Sequence, residues 1–250
     1  MYRCERAKYQ TNLVGYYRGS ALIARQWWDR YHRAFPEYVD LMPKLDPMPE
    51  PHMYQAYGIY LLENQHRLIR GLKRLYTPSV HGTKAWRSSF LLMDYLDHYP
   101  ARRGSRIMEI GCGWGPAAVY CAKQLDAKVT GVDMDKDVFP FLEVLAALNG
   151  VEVTPLKRTF QQLKGRELGA AKLIIGSDIC FWNNLVTPLF NLIGRAFQSG
   201  SRRVVIADPG RPTFYELCDR CANRFNVTLT GWYAVEPNRT SGEILEIRPK

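Results

Sequence analysis

The sequence has no long apolar run. No run of about 18 consecutive apolar residues is present in its 250 residues, so no transmembrane helix is expected. The first residues, MYRCERAKYQTNLVGYY, do not contain the apolar core of a secretory signal. Hydrophobic residues still make up 46% of the chain, which is enough for a substantial core. We therefore expect a globular, cytoplasmic protein that does not enter a membrane.

Cysteine is scarce, and its spacing argues against a metal site. The six cysteines are scattered, and only Cys218 and Cys221 form a CxxC pair. That pair falls within a predicted helix and has no second pair nearby, whereas a structural zinc site needs four ligands at defined spacing. The pattern favours reduced structural thiols and predicts no metal ion.

Acidic residues are fewer than basic ones, and the imbalance is uneven. The chain has 34 Lys and Arg against 24 Asp and Glu, a net charge of +10, and residues 1–104 hold 16 of the basic and 9 of the acidic residues. Such a basic front half attracts RNA, an acidic protein or an anionic small molecule. Because the arginines form no continuous run, it is equally typical of a solvated helical surface.

Helical spacing and prolines organise the front of the chain. Residues 20–35 have the apolar spacing of a helix, and the five prolines in residues 36–51 indicate a loop or an extended linker. A long helix is predicted from about His52 to Tyr76. We predict that residues 1–85 form a mainly helical extension that caps the carboxyl edge of a sheet.

Apolar runs of strand length alternate with helical stretches from Ile107 onward. Strands are predicted at Ile107–Ile110, Lys128–Val132, Val151–Thr154, Lys172–Ile175, Arg203–Ala207 and Val227–Thr230. Helices are predicted at Pro116–Gln124, Phe139–Leu148, Val186–Phe197 and Thr213–Arg224. This alternation is typical of an α/β fold, a parallel sheet with helices on both faces. A last run, Glu243–Ile247, is expected to return as an antiparallel edge strand, and residues 86–250 to form one domain.

A glycine-rich turn follows the first of these strands. In RIMEIGCGWG, the apolar run stops at Gly111, Gly113 and Gly115, and a helix pattern begins directly afterwards. Such strand–turn–helix units bind nucleotides at the carboxyl ends of the strands. The next strand ends in Asp133, 20 residues after Gly113, where an acid accepts hydrogen bonds from both ribose hydroxyls.

Two residues of this stretch indicate that the ligand of the glycine turn is not a dinucleotide. The third glycine of G-x-G-x-x-G is replaced by Pro116, a residue that suits the first turn of a helix. Glu109 stands just before the first glycine, where its carboxylate would repel a pyrophosphate and attract a cationic ligand. S-adenosylmethionine has an adenosine, an ammonium group and a sulfonium, and no phosphate. Glu109 therefore either fixes the ammonium group or caps the neighbouring helix.

These motifs carry a family resemblance over residues 105–250. EIGCGWG followed by VTGVDMD resembles the first two motifs of the class I S-adenosylmethionine-dependent methyltransferases, at the expected spacing and in the expected strand alternation. The resemblance implies a Rossmann-like seven-stranded methyltransferase sheet. It also implies that Gly111 and Gly113 lie beneath the amino-acid part of S-adenosylmethionine.

A closer resemblance is to the protein-lysine branch of that class. KAWRSSFLLMDYL, SDICFW and IADPGR are similar to the enzymes that methylate the β subunit of electron-transfer flavoprotein. The branch has a tryptophan at the place of Trp86 and an acid at the place of Asp178. It usually has tyrosine where this chain has Phe181, and it usually lacks residues 1–80.

The resemblance assigns roles to residues at the ends of the strands. Asp178 is implied to face the transferred methyl group, where it orients an amine or receives its proton, unless it only caps a turn. Phe181 and Trp182 wall an amine channel or pack in the core. Phe160 stacks on the adenine or is simply buried. The predicted catalytic residues are Asp178, Phe181 and Trp182. The predicted cofactor-binding residues are Trp86, Glu109, Gly111, Cys112, Gly113, Gly115, Asp133, Met134, Thr159, Phe160 and Asp178.

Four functions remain open at this stage. The favoured one is N-methylation of an amine-bearing substrate, with protein lysine indicated by the resemblance and His81 as a further candidate base. The second is methylation of a small molecule, because residues 1–104 carry 17 of the 31 aromatic residues and so favour an aromatic lid. The third is methylation of RNA, which is not favoured because SDICFW lacks the N-P-P-Y type of motif. The fourth is a non-catalytic module that binds S-adenosylmethionine.

Overall fold

The structure of the protein, a computed structural model, describes residues 51–79 and 82–250. The helix predicted over residues 20–35, most of the proline-rich linker and His81 lie outside the described residues. The division of the chain at residue 85 therefore stays a prediction. In the part of the chain that the structure describes, no helix combines the length and the apolar character needed to cross a bilayer.

Seven of the nine strands in the described residues form one mixed sheet. The strands are β1 (Met53–Ala56), β2 (Ile59–Leu62), β3 (Arg106–Ile110), β4 (Lys128–Asp133), β5 (Val153–Lys157), β6 (Leu173–Ser177), β7 (Arg203–Asp208), β8 (Asn226–Ala234) and β9 (Thr240–Arg248). β1 and β2 pair as a separate antiparallel hairpin, and the sheet order is β5-β4-β3-β6-β7-β9-β8. Strands β3 to β7 pair in parallel, and β9 is antiparallel to both of its neighbours. The α/β class and the seven-stranded sheet predicted from the sequence are confirmed.

Helices cover both faces of this sheet. They are α1 (Arg67–Leu75), α2 (Ser88–His98), α3 (Pro116–Gln124), α4 (Phe139–Leu148), α5 (Gly165–Ala170), α6 (Asn183–Gln198) and α7 (Pro212–Ala222). Successive strand residues point to opposite faces. In β3, Ile107 therefore packs into the core under α2, α3 and α4, while Met108 packs into the core under α6 and α7. Each face of the sheet thus buries its own apolar layer.

The predicted helix over His52–Tyr76 is wrong in its first half. A tight turn at Tyr57 and Gly58, both with positive φ, joins β1 to β2 and sets up a hairpin, and only the last part of the stretch is helical as α1. Positive φ at both central residues is what a type I′ hairpin turn requires. Ile59 and Leu61 are buried in the main core, so tertiary packing outweighs the helical spacing.

The last strand is also placed differently from the prediction. The run Glu243–Ile247 is antiparallel, as expected, but it lies between β7 and β8 and is not an edge strand. This interior position agrees with the side chains of the strand, because it buries Ile244, Leu245 and Ile247 almost completely. β8 has mostly exposed or half-exposed side chains, which suit an edge.

The five described cysteines are free thiols buried in these cores. Cys218 and Cys221 lie in α7, and burial raises the pKa of Cys218 to about 11 and that of Cys221 to about 12. A thiol with so high a pKa is protonated at neutral pH and is a poor nucleophile. Packing is therefore the role that their surroundings support.

Candidate functional site

A cavity of about 280 Å³ opens at the carboxyl ends of β3, β4, β5 and β6. Ligands of open α/β sheets bind at this edge, near the point where the strand order reverses. Its walls come from the loops that follow the four strands and from the loop before α2. The cavity brings together eleven predicted site residues: Trp86, Gly111, Cys112, Gly113, Asp133, Met134, Thr159, Phe160, Asp178, Phe181 and Trp182. Glu109 and Gly115 are not part of its wall.

The glycine turn forms the floor of the cavity at the end of β3. Gly111, Gly113 and Gly115 all have positive φ, a conformation that glycine adopts at no steric cost. A Cβ atom on Gly113 would meet no other atom within 4 Å, whereas one on Gly111 would lie 2.6 Å from Cγ2 of Ile179. The backbone at Gly113 is therefore open to a ligand. Burial raises the pKa of the Cys112 thiol, which leaves it protonated.

Asp133 joins the turn to the end of β4. Its Oδ2 accepts a hydrogen bond of 3.0 Å from the backbone N–H of Gly113, and its Oδ1 accepts one of 3.0 Å from that of Asp135. Burial raises the pKa of Asp133, and these backbone N–H groups oppose that rise. Each carboxylate oxygen has a second lone pair, so the side chain can still accept from ribose hydroxyls.

Glu109 lies behind the turn rather than in the cavity wall. It is only 1% exposed, and its Oε2 accepts a hydrogen bond of 2.9 Å from the N–H of Ala118, in the first turn of α3. Burial raises the pKa of Glu109 to about 8. The geometry supports the helix-capping role, while binding of an ammonium group stays a prediction.

The loop after β5 provides the side of the cavity predicted to receive adenine. The backbone N–H of Arg158 donates to the carbonyl of Asp133 at 2.9 Å, which ties the loop to the end of β4. The carbonyl of Phe160 accepts a hydrogen bond of 2.6 Å from the guanidinium of Arg195 in α6. Phe160 and Met134 both line the cavity, and Met134 is 56% exposed. Both are apolar groups of a kind that packs against a flat ring.

Asp178 follows β6 and is held from two sides. It has a φ of 56°, which is uncommon for a residue with a side chain. Its Oδ1 lies 2.7 Å from Nη2 of Arg211, and its Oδ2 accepts a hydrogen bond of 3.3 Å from the N–H of Ser88 at the start of α2. An arginine-paired carboxylate is suited to orienting a cationic or polar group.

The cavity that contains this acid is also lined by the aromatic side chains Trp86, Phe181 and Trp182. The rings of Phe181 and Trp182 meet edge to face with centroids 4.8 Å apart, and Trp182 is 47% exposed. Nζ of Lys84 lies 4.3 Å from the centre of the Trp86 ring. These faces suit an amine that becomes cationic.

Two residues important to the site had no role assigned from the sequence. Trp114 stacks on Phe141 with centroids 4.9 Å apart, and its Nε1 donates to the carbonyl of Gly82 at 2.9 Å. It therefore ties the glycine turn to the loop that carries Trp86. Arg211 pairs with Asp178. Both stand inside quoted motifs, GCGWG and DPGR, but spacing alone does not show which side chains meet.

Comparison with solved structures places the fold among the methyltransferases. A methyltransferase from Pyrococcus furiosus superposes with a TM-score of 0.52 at 16% identity, covering 90% of this chain and 98% of that one. TrmN from Thermus thermophilus gives a TM-score of 0.51 at 15% identity, covering 93% of this chain and 68% of that one. At such low identity the likeness shows the fold alone. Together with the sheet order and the glycine turn, it defines a class I methyltransferase fold.

Sequence comparison identifies the family within that class. A family model described as lysine methyltransferase matches residues 69–213, and the chain belongs to this family. The electron transfer flavoprotein beta subunit lysine methyltransferase of Xenopus laevis is 31% identical over 119 residues, 48% of each chain. The human protein of the same name is 25% identical over 130 residues, 52% of this chain and 49% of that one. The chain thus spans about half the length of these curated relatives. The predicted resemblance is confirmed.

Proposed function

We propose that the protein is an S-adenosylmethionine-dependent methyltransferase that methylates an amine nitrogen, with a protein lysine as the acceptor. The observation that carries this proposal is that two groups of residues line one cavity. The first is the glycine turn with Asp133, which accepts a hydrogen bond from Gly113, and the second is the acid Asp178 with the aromatic rings of Phe181 and Trp182. The first group suits an adenosine that lacks phosphate, and the second suits an amine. Family membership and the names of the relatives point to the same acceptor.

The residues around the turn fit this cofactor. Asp133 would accept from the ribose hydroxyls, and Phe160 and Met134 would contact the adenine. An ammonium group near the buried carboxyl of Glu109, close behind the turn, would oppose the rise in its pKa and favour the carboxylate, whereas a pyrophosphate would raise that pKa further. When bound, the cofactor supplies an electrophilic methyl group on a sulfonium.

The chain's own residues would act on the acceptor by orienting it and excluding water. Asp178, fixed by Arg211 and Ser88, presents a carboxylate that can accept a hydrogen bond from the amine. Phe181 and Trp182 remove water from the amine, so that its lone pair is free to attack. Their faces then stabilise the charge that the methylated nitrogen acquires. Alignment and desolvation of this kind are the main needs of an in-line displacement.

The test is direct methyl transfer to separated acceptors. The purified protein is incubated with tritium-methyl cofactor and with the recombinant β subunit of electron-transfer flavoprotein, bulk RNA or free amine metabolites. We expect label in the protein acceptor, on lysine by mass spectrometry, and none with Asp178→Asn at short times. Label in RNA alone would replace protein with RNA as the acceptor. Tight cofactor binding without label in any arm would favour the non-catalytic module.

A small molecule is the second candidate acceptor. The cavity has a volume of only about 280 Å³ and is walled largely by aromatic and other apolar groups, as in sites for compact ligands. The ubiquinone biosynthesis O-methyltransferase of Neisseria meningitidis is 38% identical, but over 61 residues only, 24% of this chain. Label confined to the metabolite arm would favour this candidate.

A further inference from the structure

A buried charge network underlies the acceptor side of the cavity. Asp208, at the end of β7, is fully buried, and its Oδ1 accepts hydrogen bonds from the backbone N–H groups of Gly210 and Arg211 at 3.0 and 2.9 Å. Nη1 of Arg211 lies 2.7 Å from Oδ2 of Asp208, and Nη2 lies 2.7 Å from Oδ1 of Asp178. One guanidinium therefore joins the carboxyl ends of β6 and β7.

This network bears on the backbone of Asp178. The left-handed region is unfavourable for a residue with a side chain, which persists there where its surroundings hold it. At Asp178 the holding contacts are the ion pair with Arg211, the N–H of Ser88 and its own N–H, which donates to the carbonyl of Ala207 at 3.0 Å. Among the three, only the ion pair fixes the carboxylate through a charge. Without it, the hydrogen bond of 3.3 Å from the N–H of Ser88 would be left to hold the carboxylate.

We propose that Arg211 is a positioning residue for the acceptor amine, which acts by holding the Asp178 carboxylate at the acceptor side of the cavity. The inference rests on the proposed function, because it takes the group facing Asp178 to be the amine that receives the methyl group. Arg211 itself touches neither cofactor nor acceptor in this proposal. The proposal adds one residue to the acceptor site. It also gives a role to the DPGR segment after β7, because Arg211 of that segment pairs with the acid after β6.

The test uses two cofactor analogues and needs no acceptor. Sinefungin has an amine-bearing carbon in place of the methylated sulfur, whereas S-adenosylhomocysteine has no group there. The ratio of their affinities, measured by calorimetry, therefore reports how well the site receives an amine. A hydrogen bond from an amine to a placed carboxylate is worth about tenfold or more. We expect Arg211→Met to lower the preference for sinefungin about tenfold and to leave the affinity for S-adenosylhomocysteine unchanged.

A matched control and a double variant separate positioning from general structure. Arg220 lies in α7, the helix that begins directly after Arg211, and pairs at the surface with Glu216, so Arg220→Met should leave the ratio unchanged. Adding Arg211→Met to Asp178→Asn should lower the ratio no further than Asp178→Asn alone, because the arginine acts through the acid. Arg211→Lys keeps the charge but reaches one carboxylate only, so it should restore part of the preference and serves if Arg211→Met does not fold.

Three results would overturn the proposal. The first is an unchanged ratio in folded Arg211→Met and Arg211→Lys. The second is an additive loss in the double variant, which would give Arg211 an effect independent of Asp178. The third is equal loss of both analogues, which would make the arginine a general support of the cavity. Failure of the wild-type protein to bind either analogue would instead refute the proposed function itself.

Discussion

Glu109 gives the protein a pH dependence that can be measured without any ligand. Its pKa is about 8 in the folded chain, above the ordinary value of 4.5, because burial disfavours the charged carboxylate. A raised pKa means that its contribution to stability is complete below about pH 4.5 and is lost as the pH rises through about 8. The free energy of unfolding should therefore fall across this range, by at most about 1.4 kcal/mol per pH unit from this group.

Glu109→Gln isolates that contribution. The amide can still accept from the N–H of Ala118, but it does not ionise, so the difference in unfolding free energy between variant and wild type should grow in favour of the variant from pH 5 to about pH 8. Urea unfolding at several pH values measures it. A constant difference would mean that Glu109 is already ionised in the folded protein at pH 5.

Asp133 is expected to dominate recognition of the ribose. Asp133→Ala removes the acceptor for the hydroxyls and frees the N–H of Gly113, which should weaken cofactor binding by about 1–3 kcal/mol, or roughly fivefold to 150-fold. Calorimetry with S-adenosylhomocysteine measures the change. Asp219→Ala, which removes an exposed acid on α7, is the control and should bind normally. Unchanged affinity of Asp133→Ala would remove Asp133 from the cofactor site.

Asp178→Asn should separate turnover from cofactor binding. The amide keeps the shape but loses the charge that pairs with Arg211 and orients the amine, so turnover should fall by about 10²–10⁴-fold, while affinity for S-adenosylhomocysteine stays within about twofold. Steady-state kinetics at saturating acceptor measures the first quantity. Full turnover in the variant would show that Asp178 only caps its turn. Phe181→Tyr, the residue usual in the resembling branch, should be tolerated.

The glycine turn offers a pair of substitutions with different expected costs. A Cβ on Gly115 would run into the Leu142 side chain of α4, and its φ is 70°. Gly115→Ala should therefore cost about 2–4 kcal/mol, from backbone strain and overpacking together. Gly113→Ala meets no atom and should cost only the strain, about 1–2 kcal/mol, but should weaken cofactor binding. Urea unfolding of both variants decides the matter, and equal costs would contradict the packing argument.

The sequence predicted helices and strands best where residues of the element itself mark its ends. Prolines stand in the first turns of α3 and α4, and these helices have the predicted bounds. The β1–β2 hairpin was missed because its turn needs a positive φ at Tyr57, a residue with no turn preference, and because Ile59 and Leu61 pack on distant residues. Long-range packing also places β9 in the interior of the sheet, which a strand pattern cannot specify.

In the candidate site, too, local sequence spacing predicted some features, and contacts between distant residues were missed. Sequence spacing located the glycine turn and Asp133, since both belong to one strand–turn–helix unit and its neighbour. The ion pair between Asp178 and Arg211 joins residues far apart in the chain, and the stacking of Trp114 on Phe141 joins two different helical units. No periodicity carries that information, because each contact depends on how β6 and β7 or α3 and α4 are arranged.

The hairpin is attached to the rest of the described chain through Asn149. Its Oδ1 accepts from the N–H of Tyr60 at 2.8 Å, and its Nδ2 donates to the carbonyls of Tyr60 and Leu145 at 2.8 and 2.9 Å. Asn149→Ala leaves buried backbone groups without partners, and it should cost about 2–4 kcal/mol of unfolding free energy with no change in cofactor affinity. Asn238→Ala, in an exposed turn, is the control. A cost below about 0.5 kcal/mol would mean that apolar packing and the hydrogen bonds of Tyr57 to Asp94 and Glu236 retain the hairpin without Asn149.

The interior position of β9 has a consequence for protein synthesis. The ribosome makes residues 240–248 after every other strand of the sheet, yet β7 has no partner on its β9 side until they emerge. All six residues of β7 are buried in the finished fold, so the nascent chain exposes an apolar, unpaired strand edge of the kind that templates aggregation. A chain stopped between residues 208 and 240 would retain every residue that lines the cavity, yet it should aggregate unless a chaperone covers the exposed edge of β7.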